Sequence, residues 1–238
     1  MTNIDSLIKG LNTLHLNIEH DKLEKFKKYK ELLLEWNDKI NITAITDEQE
    51  VDIKHFLDSL TILKTESINN GDKIIDVGTG GGFPGIPLKI VNDKSEVVLL
   101  DSLNKRIKFL NEVINNLNLT DIRSIHGRAE EYGKIEEYRE KFDVVVSRAV
   151  ASLNILSEYC LPFAKIGGFF IAMKSSQTEK EIIEAELALD TLGGRIEKQL
   201  DVELPFIGIV HRLIIIKKIK NTPVNYPRNP GKPKKNPL

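Results

Sequence analysis

The stretch IIDVGTGGGFPG, residues 74–85, decides the fold of this 238-residue chain. An apolar run with a single acid, Asp76, breaks into glycines at Gly78, Gly80, Gly81 and Gly82. Pro84 and Gly85 follow. Such a run reads as a buried strand that leaves through a tight turn into a helix, because proline is well tolerated in a first helical turn. Glycines there let the backbone take positive φ and pass close to a ligand. In an open parallel sheet, ligands sit beyond the carboxyl ends of the strands, where strand order reverses.

Downstream of this turn, short apolar runs alternate with amphipathic segments. The first strand is expected at residues 73–77 and the second at 96–101, followed by a helix over 104–117. Residues 121–126 and 142–147 read as the third and fourth strands. A helix over 153–164, a fifth strand at 168–174 and a helix over 179–192 come next. Two last strands, 195–203 and 210–218, have no helix between them and read as an antiparallel hairpin at one edge. Strands separated by helices need crossover connections, hence a mainly parallel sheet covered on both faces. The expected fold is α/β: a doubly wound, mostly parallel, seven-stranded Rossmann-like sheet.

Upstream, Leu23, Phe26, Tyr29, Leu33 and Trp36 recur at helical spacing, so residues 1–67 read as a helical extension. Residues 68–220 form the sheet domain. Residues 221–238 hold five of the nine prolines and read as an extended basic tail that forms neither helix nor central strand. Net charge is −1, yet residues 217–238 carry seven Lys or Arg and no acid. A second basic cluster comprises Lys22, Lys25, Lys27, Lys28 and Lys30. This asymmetry points towards nucleic acid, although a solvated helix face with a disordered tail would give the same pattern. One cysteine allows neither an internal disulfide nor a multi-cysteine metal site. No signal peptide or membrane-spanning run is apparent, so the expected location is cytoplasmic.

Two ligand classes compete for the glycine turn. Gly80-x-Gly82-x-x-Gly85 satisfies the dinucleotide pattern formally, which alone is weak. S-adenosylmethionine is favoured because Asp76 can hold an ammonium group but would repel a pyrophosphate. Pro84 also removes an N–H that a diphosphate would use. In addition, about 70 residues precede the strand, whereas dinucleotide domains often open with it. Asp101, ending the second strand, can accept both ribose hydroxyls, and it can equally cap the next helix. Ala129 and Glu130 follow the third strand, where an amide and a polar side chain can read an adenine edge; simple helix entry is the alternative. Arg148 follows the fourth strand at the mouth where substrate meets the methyl group, with a structural salt bridge as the competing account.

With these residues in place, the chain resembles the bacterial methyltransferases of guanine N7 in 16S ribosomal RNA, historically called glucose-inhibited division protein B. The likeness runs through Trp36-Asn37, the segment NITAI at 41–45, KHFLDS at 54–59, the glycine turn, and DSLNKR at 101–106. It continues through Arg128-Ala129-Glu130, SRAV at 147–150, and the tail with Tyr226, Pro227, Arg228 and Gly231. The resemblance implies cofactor contacts at Gly78, Phe83, Ala129, Glu130 and Arg148. It also implies a substrate in 16S rRNA, within the small ribosomal subunit or its assembly intermediates.

The chemistry fits. Guanine N7 presents a lone pair on the major-groove edge and needs no deprotonation, so the enzyme must supply position and a dry electrostatic pocket. The turn after the fourth strand lacks the Asn/Asp-Pro-Pro-aromatic sequence expected for amine methylation. Cys160 reads as an inert buried thiol. Arg148 is the expected catalytic residue, near both the methyl group and guanine O6. His55 and Asp58 are weaker candidates for the substrate face. The tail and the Lys22–Lys30 face are expected to grip phosphates, and removing residues 221–238 is expected to leave cofactor binding intact.

Overall fold

A computed structural model describes residues 2–148 and 151–238; Ala149 and Val150 of the SRAV motif lie outside the described residues. The chain begins with α1 (Asp5–Thr13), α2 (His20–Ile40) and α3 (Glu48–Val51). α3 runs directly into a π-helical segment, Asp52–Leu57, then α4 (Asp58–Leu60) and a 3-10 turn, Thr61–Thr65. The sheet domain alternates β1 (Lys73–Val77), α5 (Gly85–Val91), β2 (Glu96–Asp101), α6 (Asn104–Asn116), β3 (Ile122–His126), α7 (Ala129–Tyr132) and β4 (Phe142–Arg148). It continues with α8 (Leu153–Cys160), β5 (Ala164–Ser175), α9 (Glu179–Glu184), α10 (Glu186–Leu192), β6 (Gly194–Glu203) and β7 (Val210–Lys218).

Among the described residues the strands form one seven-stranded sheet in the order β3-β2-β1-β4-β5-β7-β6. β1, β2, β3, β4 and β5 pair in parallel; β7 is antiparallel to both β5 and β6. Strand order reverses between β1 and β4, so their carboxyl ends open the crevice in which such sheets bind ligands. Central strands are apolar on both faces: Val97, Val98, Leu99 and Leu100 of β2 are all buried. Edge strand β6, with Arg195, Glu197, Lys198, Gln199 and Asp201, carries the charges that discourage edge pairing.

The N-terminal helices belong to the core. Phe26, Tyr29 and Phe56 pack with Ile74, Phe83, Phe109 and Val144 against one face of the sheet. On the other face, Ile75, Val77, Val98 and Leu100 pack with Leu153, Leu156, Ala188 and Leu192 of α8 and α10.

Several boundaries differ from the sequence reading. The helix expected over 153–164 stops at Cys160, because Pro162 disfavours helix in the residue before it and cannot donate to the ladder. β5 therefore opens earlier, at Ala164, which pairs with Phe142 ahead of an irregularity in the ladder. The helix expected over 179–192 is split at Ala185. The tail does form a helical turn, α11 (Lys232–Lys235), with Pro233 in the first-turn position where proline is tolerated. Nor is the tail a solvated appendage, since Arg139 Nη1 donates to Tyr226 O at 2.7 Å and Nη2 to Thr222 O at 2.6 Å.

Both basic clusters also need correction. Lys30 is fully buried and its ammonium meets Asp52 Oδ1 at 2.8 Å and the Asn3 carbonyl. Lys218 is buried against Glu140, the carbonyls of Leu161 and Leu192, and the Thr222 hydroxyl. Arg228 is paired with buried Glu158. These three cations hold the fold together.

Candidate functional site

The glycine turn is shaped from beneath by Asp76. Its Oδ2 accepts the Thr79 hydroxyl at 2.6 Å and the Gly85 N–H at 2.8 Å, which closes the turn onto α5. A Cβ at Gly85 would lie 2.9 Å from Asp76 Oδ2 and inside contact with Leu99, so only glycine fits there. Tyr29 of α2 donates its hydroxyl to the Gly81 carbonyl, tying the N-terminal layer to the turn. Burial raises the Asp76 pKa to about 7 against the opposing bonds from Thr79 and Gly85. Its other oxygen, Oδ1, is buried and has no hydrogen-bond partner. The sequence reading gave Asp76 only a ligand's ammonium to hold; the structure gives it a structural duty as well.

Two joined cavities lie above the turn. The larger, about 500 Å³, is lined by Ile42, Thr43, Gly78, Phe83, Asp101 and Arg148 among others. The smaller, about 150 Å³, is lined by Val77, Gly78, Asp101, Ala129, Glu130 and Tyr159 among others. Gly78 and Asp101 border both. The trough brings together Gly78, Phe83, Asp101 and Arg148 in one part and Ala129 and Glu130 in the other, while Asp76 lies buried beneath the turn and lines neither.

Asp101 is heavily engaged. Its Oδ1 accepts the Leu103 N–H at 2.9 Å, an Asx-type turn into α6; Oδ2 accepts Gly80 N–H at 2.9 Å and Arg106 Nη1 at 3.2 Å. A carboxylate offers about four lone-pair sites, so one remains unless Arg106 swings away. The N-cap of α6 is Leu103, so Asp101 holds the turn that leads into the helix and does not cap it directly. Glu130 is buried and accepts the Gly231 N–H of the tail at 3.0 Å.

At the other end of the trough stands Arg148. Ser147, just before it, donates its hydroxyl to the Val77 carbonyl at 2.7 Å and so fixes the end of β4 against β1. Nη1 of Arg148 donates to the Lys54 carbonyl at 3.0 Å and to Asp58 Oδ2 at 2.9 Å; Nη2 donates to His55 Nδ1 at 3.2 Å. The guanidinium also lies 5.0 Å from the Phe83 ring centre, and the His55 ring stacks on the same phenyl at 4.5 Å and 14°. π-helical turns recur at functional sites, and here the wider winding of Asp52–Leu57 aligns a carbonyl and an imidazole, with Asp58 next in line, on one guanidinium.

The tautomer of His55 follows. Arginine can only donate, so Nδ1 of His55 accepts, and Nε2 carries the proton to Thr43 Oγ1 at 2.8 Å. Burial, reinforced by the Arg148 charge, lowers the His55 pKa to about 3, so the ring is neutral at physiological pH. Asp58 passes the network on, its Oδ1 meeting His211 Nδ1 at 2.6 Å. The competing account weighed for Arg148, a structural salt bridge, is therefore present: Arg148 pairs with Asp58. It leaves Nε–H and one Nη2–H of the guanidinium uncommitted.

Beyond Arg148 lies a third cavity of about 670 Å³, whose walls include His55, Asp58, Arg148, Lys174, Leu204 and His211. Arg148 and His55 border both this cavity and the trough. A small molecule in the trough and a second reactant in the outer cavity would meet across these two side chains.

Comparison with known proteins accords with this arrangement. Residues 22–203 match the family described as GidB, rRNA small subunit methyltransferase G. The chain belongs to the GidB family. It is 54% identical over 235 residues to the ribosomal RNA small subunit methyltransferase G of a Thermoanaerobacter species, covering 99% of this chain and 98% of that one. To the protein of the same name from Alkaliphilus metalliredigens it is 51% identical over 229 residues, covering 96% of each. Among solved structures, M. jannaschii TYW2 in complex with AdoMet superposes with a TM-score of 0.53 at 16% identity, covering 68% of this chain and 77% of that one. TrmN from Thermus thermophilus gives 0.53 at 16%, covering 68% and 48%. At such identities these two show a shared fold.

Membership of the GidB family bears out the resemblance carried by the sequence motifs, and the geometry explains several of them. Asn37 Oδ1 accepts the Thr43 N–H at 2.8 Å, which is why the Trp36-Asn37 and NITAI segments form one unit at the trough's edge. KHFLDS supplies the Lys54 carbonyl, His55 and Asp58 to Arg148. His211, Thr43 and Tyr159 line the cavities without having been singled out. A β-branched or aromatic residue in a connector or helix carries no mark of the cavity it faces. Cys160 is buried as expected, with its thiol pKa well above the usual range through burial. No helix among the described residues is long and apolar enough to cross a membrane.

Proposed function

We propose that this chain transfers the methyl group of S-adenosylmethionine to N7 of a guanine in 16S rRNA of the small ribosomal subunit. The observation that carries the reading is the shared wall: Arg148 and His55 separate a trough over the glycine turn from an outer cavity large enough for a nucleotide.

The trough fits the cofactor. Buried Asp76 Oδ1 lacks a partner that a ligand's ammonium would provide. Asp101 stands at the joint between the two parts, where ribose belongs, and Ala129 and Glu130 line the part suited to adenine. Gly78 and Phe83 form the floor. Bound, the cofactor supplies an electrophilic sulfonium methyl group. The protein's own residues hold the nucleophile: an uncommitted N–H of Arg148 donates to guanine O6, which keeps N7 facing the trough. No general base is required, and neutral His55 has both ring nitrogens engaged in holding Arg148 and Thr43. His55 and Arg148 both lie against the Phe83 ring, which fixes the donors at the meeting point before a substrate arrives.

Phosphate contacts fall to the cations that remain exposed. In the tail these include Lys232, Lys234 and Lys235; on α2, Lys28, with Lys25 and Lys27 half-exposed. The substrate would be the structured small subunit or an assembly intermediate in the cytoplasm.

The test is to map methylated guanines in 16S rRNA from cells with and without this protein. One 7-methylguanosine present only with the protein is the expected result, and identical methylation patterns would refute the proposal.

A further inference from the structure

The tail is bolted to the rim of the small cavity. Residues 221–223 are held by Glu140, which accepts the Thr222 N–H at 2.7 Å, and by Arg139, whose Nη2 reaches the Thr222 carbonyl at 2.6 Å. Further on, the main-chain N–H of Arg228 donates to Glu158 Oε1 at 2.8 Å, and its guanidinium Nε and Nη2 span both Glu158 oxygens at 2.5 to 3.0 Å. The Gly231 N–H then donates to Glu130 Oε1 at 3.0 Å. Pro227 packs on the end of α7: a Cβ added at Gly133 would stand 3.0 Å from Pro227 Cγ, tight enough that the proline would have to shift by a few tenths of an ångström.

Burying a carboxylate is costly unless it is paired and hydrogen-bonded. Glu158 is 1% exposed and is compensated by Arg228; Glu130 is 5% exposed and is held by Gly231. Glu130 lines the small cavity; Glu158 does not, but it immediately precedes Tyr159, which does. No residue of 221–238 borders the cavity itself. Whatever the tail does to a ligand there, it does through these two glutamates.

We propose that residues 226–231 form a positioning strap for the adenine end of the cofactor trough. Gly231 orients the Glu130 carboxylate, and Arg228 locks Glu158, and with it Tyr159, in place. Arg228 and Gly231 are positioning residues for cofactor recognition. This rests on the reading that the small cavity receives adenine, and it predicts the opposite of the expectation that the tail can be removed without effect on cofactor binding.

The experiment titrates S-adenosylhomocysteine and S-inosylhomocysteine, which differ at the purine edge, into four full-length or near-full-length proteins. These are the parent chain, Arg228→Ala, a chain ending at Pro227, and Asp101→Ala as a trough control. Circular dichroism and the melting temperature report folding. The parent is expected to bind the adenine compound and discriminate against the inosine one. Arg228→Ala and the shortened chain are expected to bind roughly tenfold more weakly, within the range of typical coupling between sites, and to lose most of that discrimination. Loss of discrimination is the readout that a merely structural tail would not move. If either altered chain fails to fold, Arg228→Lys, which keeps the charge but not the fork, decides with a smaller shift in the same direction. Affinity within twofold of the parent, or weaker affinity with unchanged discrimination, overturns the strap. Failure of the parent itself to bind, or full binding by Asp101→Ala, would instead overturn the trough reading.

Discussion

The N-terminal helical layer and the C-terminal tail both close on the trough, from opposite ends and by different means. At the Arg148 end, the π-helical segment and Asp58 just after it bring a carbonyl, an imidazole and a carboxylate to one guanidinium, while Tyr29 of α2 donates its hydroxyl to the Gly81 carbonyl of the turn. At the Glu130 end, the tail contributes mostly main-chain N–H groups and one arginine fork to two buried glutamates. On the proposed reading the first grip surrounds a cation that faces the substrate base, and the second sets the shape of a binding wall. At the Arg148 end one cation therefore serves three neighbours at once, whereas at the Glu130 end each buried glutamate has its own partner, Arg228 for Glu158 and the Gly231 N–H for Glu130. Mutations at the two ends should differ accordingly.

The largest effect is expected at Arg148. Arg148→Ala removes a preorganised donor at the meeting point and should lower the methylation rate on small subunits roughly 100-fold or more. Arg148→Lys should recover little, because an ammonium cannot serve Lys54, Asp58, His55 and guanine O6 together. Initial rates with radiolabelled cofactor measure both. Next comes Asp58→Ala, which frees Arg148 and His211 without touching the trough. A loss of roughly tenfold in kcat with cofactor affinity nearly unchanged would mark it as a positioning residue of the substrate side, by analogy with outer-shell partners.

A pH series sharpens the comparison at the turn between the two grips. Asp76 has its pKa raised to about 7, first by burial, while Thr79, Gly85 and Arg148 pull it down and Asp101 pushes it up. Below that value it is mostly neutral and a poor partner for an ammonium; above it, a carboxylate. Affinity for S-adenosylhomocysteine should therefore rise by roughly tenfold from pH 6 to pH 8, a difference readable by calorimetry. Without ligand, the sign for stability is opposite. The folded chain retains this proton longer than the unfolded one, so the Asp76 contribution weakens as pH climbs from about 4 to about 7.

The smallest effects are expected at the exposed tail lysines. Lys232→Ala, Lys234→Ala and Lys235→Ala should each weaken RNA binding a few-fold and flatten the salt slope by just under one, with discrimination between sequences unchanged. Lys218→Ala would instead act on folding: its amine is buried and its pKa is lowered to about 8 by desolvation. Losing this partner of Glu140 should reduce stability by about 3 kcal/mol in a denaturant titration, with no change in salt slope.

How much of this was legible in the sequence depends on how local each signal is. The glycine turn, the alternation of strands with helices and the terminal hairpin are written in contiguous residues, and the sheet followed. What escaped was non-local. Arg148 meets Lys54 and Asp58 across more than 85 residues of chain, and Asp58 meets His211 across still more. No spacing rule links them. Lys30 could have been found: it shares a helical face with Phe26 and Leu33, at i+4 and i+7, so an apolar stripe ran through a residue counted as solvated. Lys218 likewise ends a buried strand. The strap was hidden because prolines signal extended chain but say nothing of what the chain lies against.

The central claim is that the trough and the outer cavity meet at Arg148, with the cofactor's reactive end there and its base at Glu130. Determining the structure with S-adenosylhomocysteine bound tests it most directly. The account predicts the sulfur on the side of Phe83 and Arg148, open to the outer cavity, and the adenine between Ala129, Glu130 and Tyr159. A reversed ligand, or one whose sulfur is shut off from the outer cavity, would contradict it.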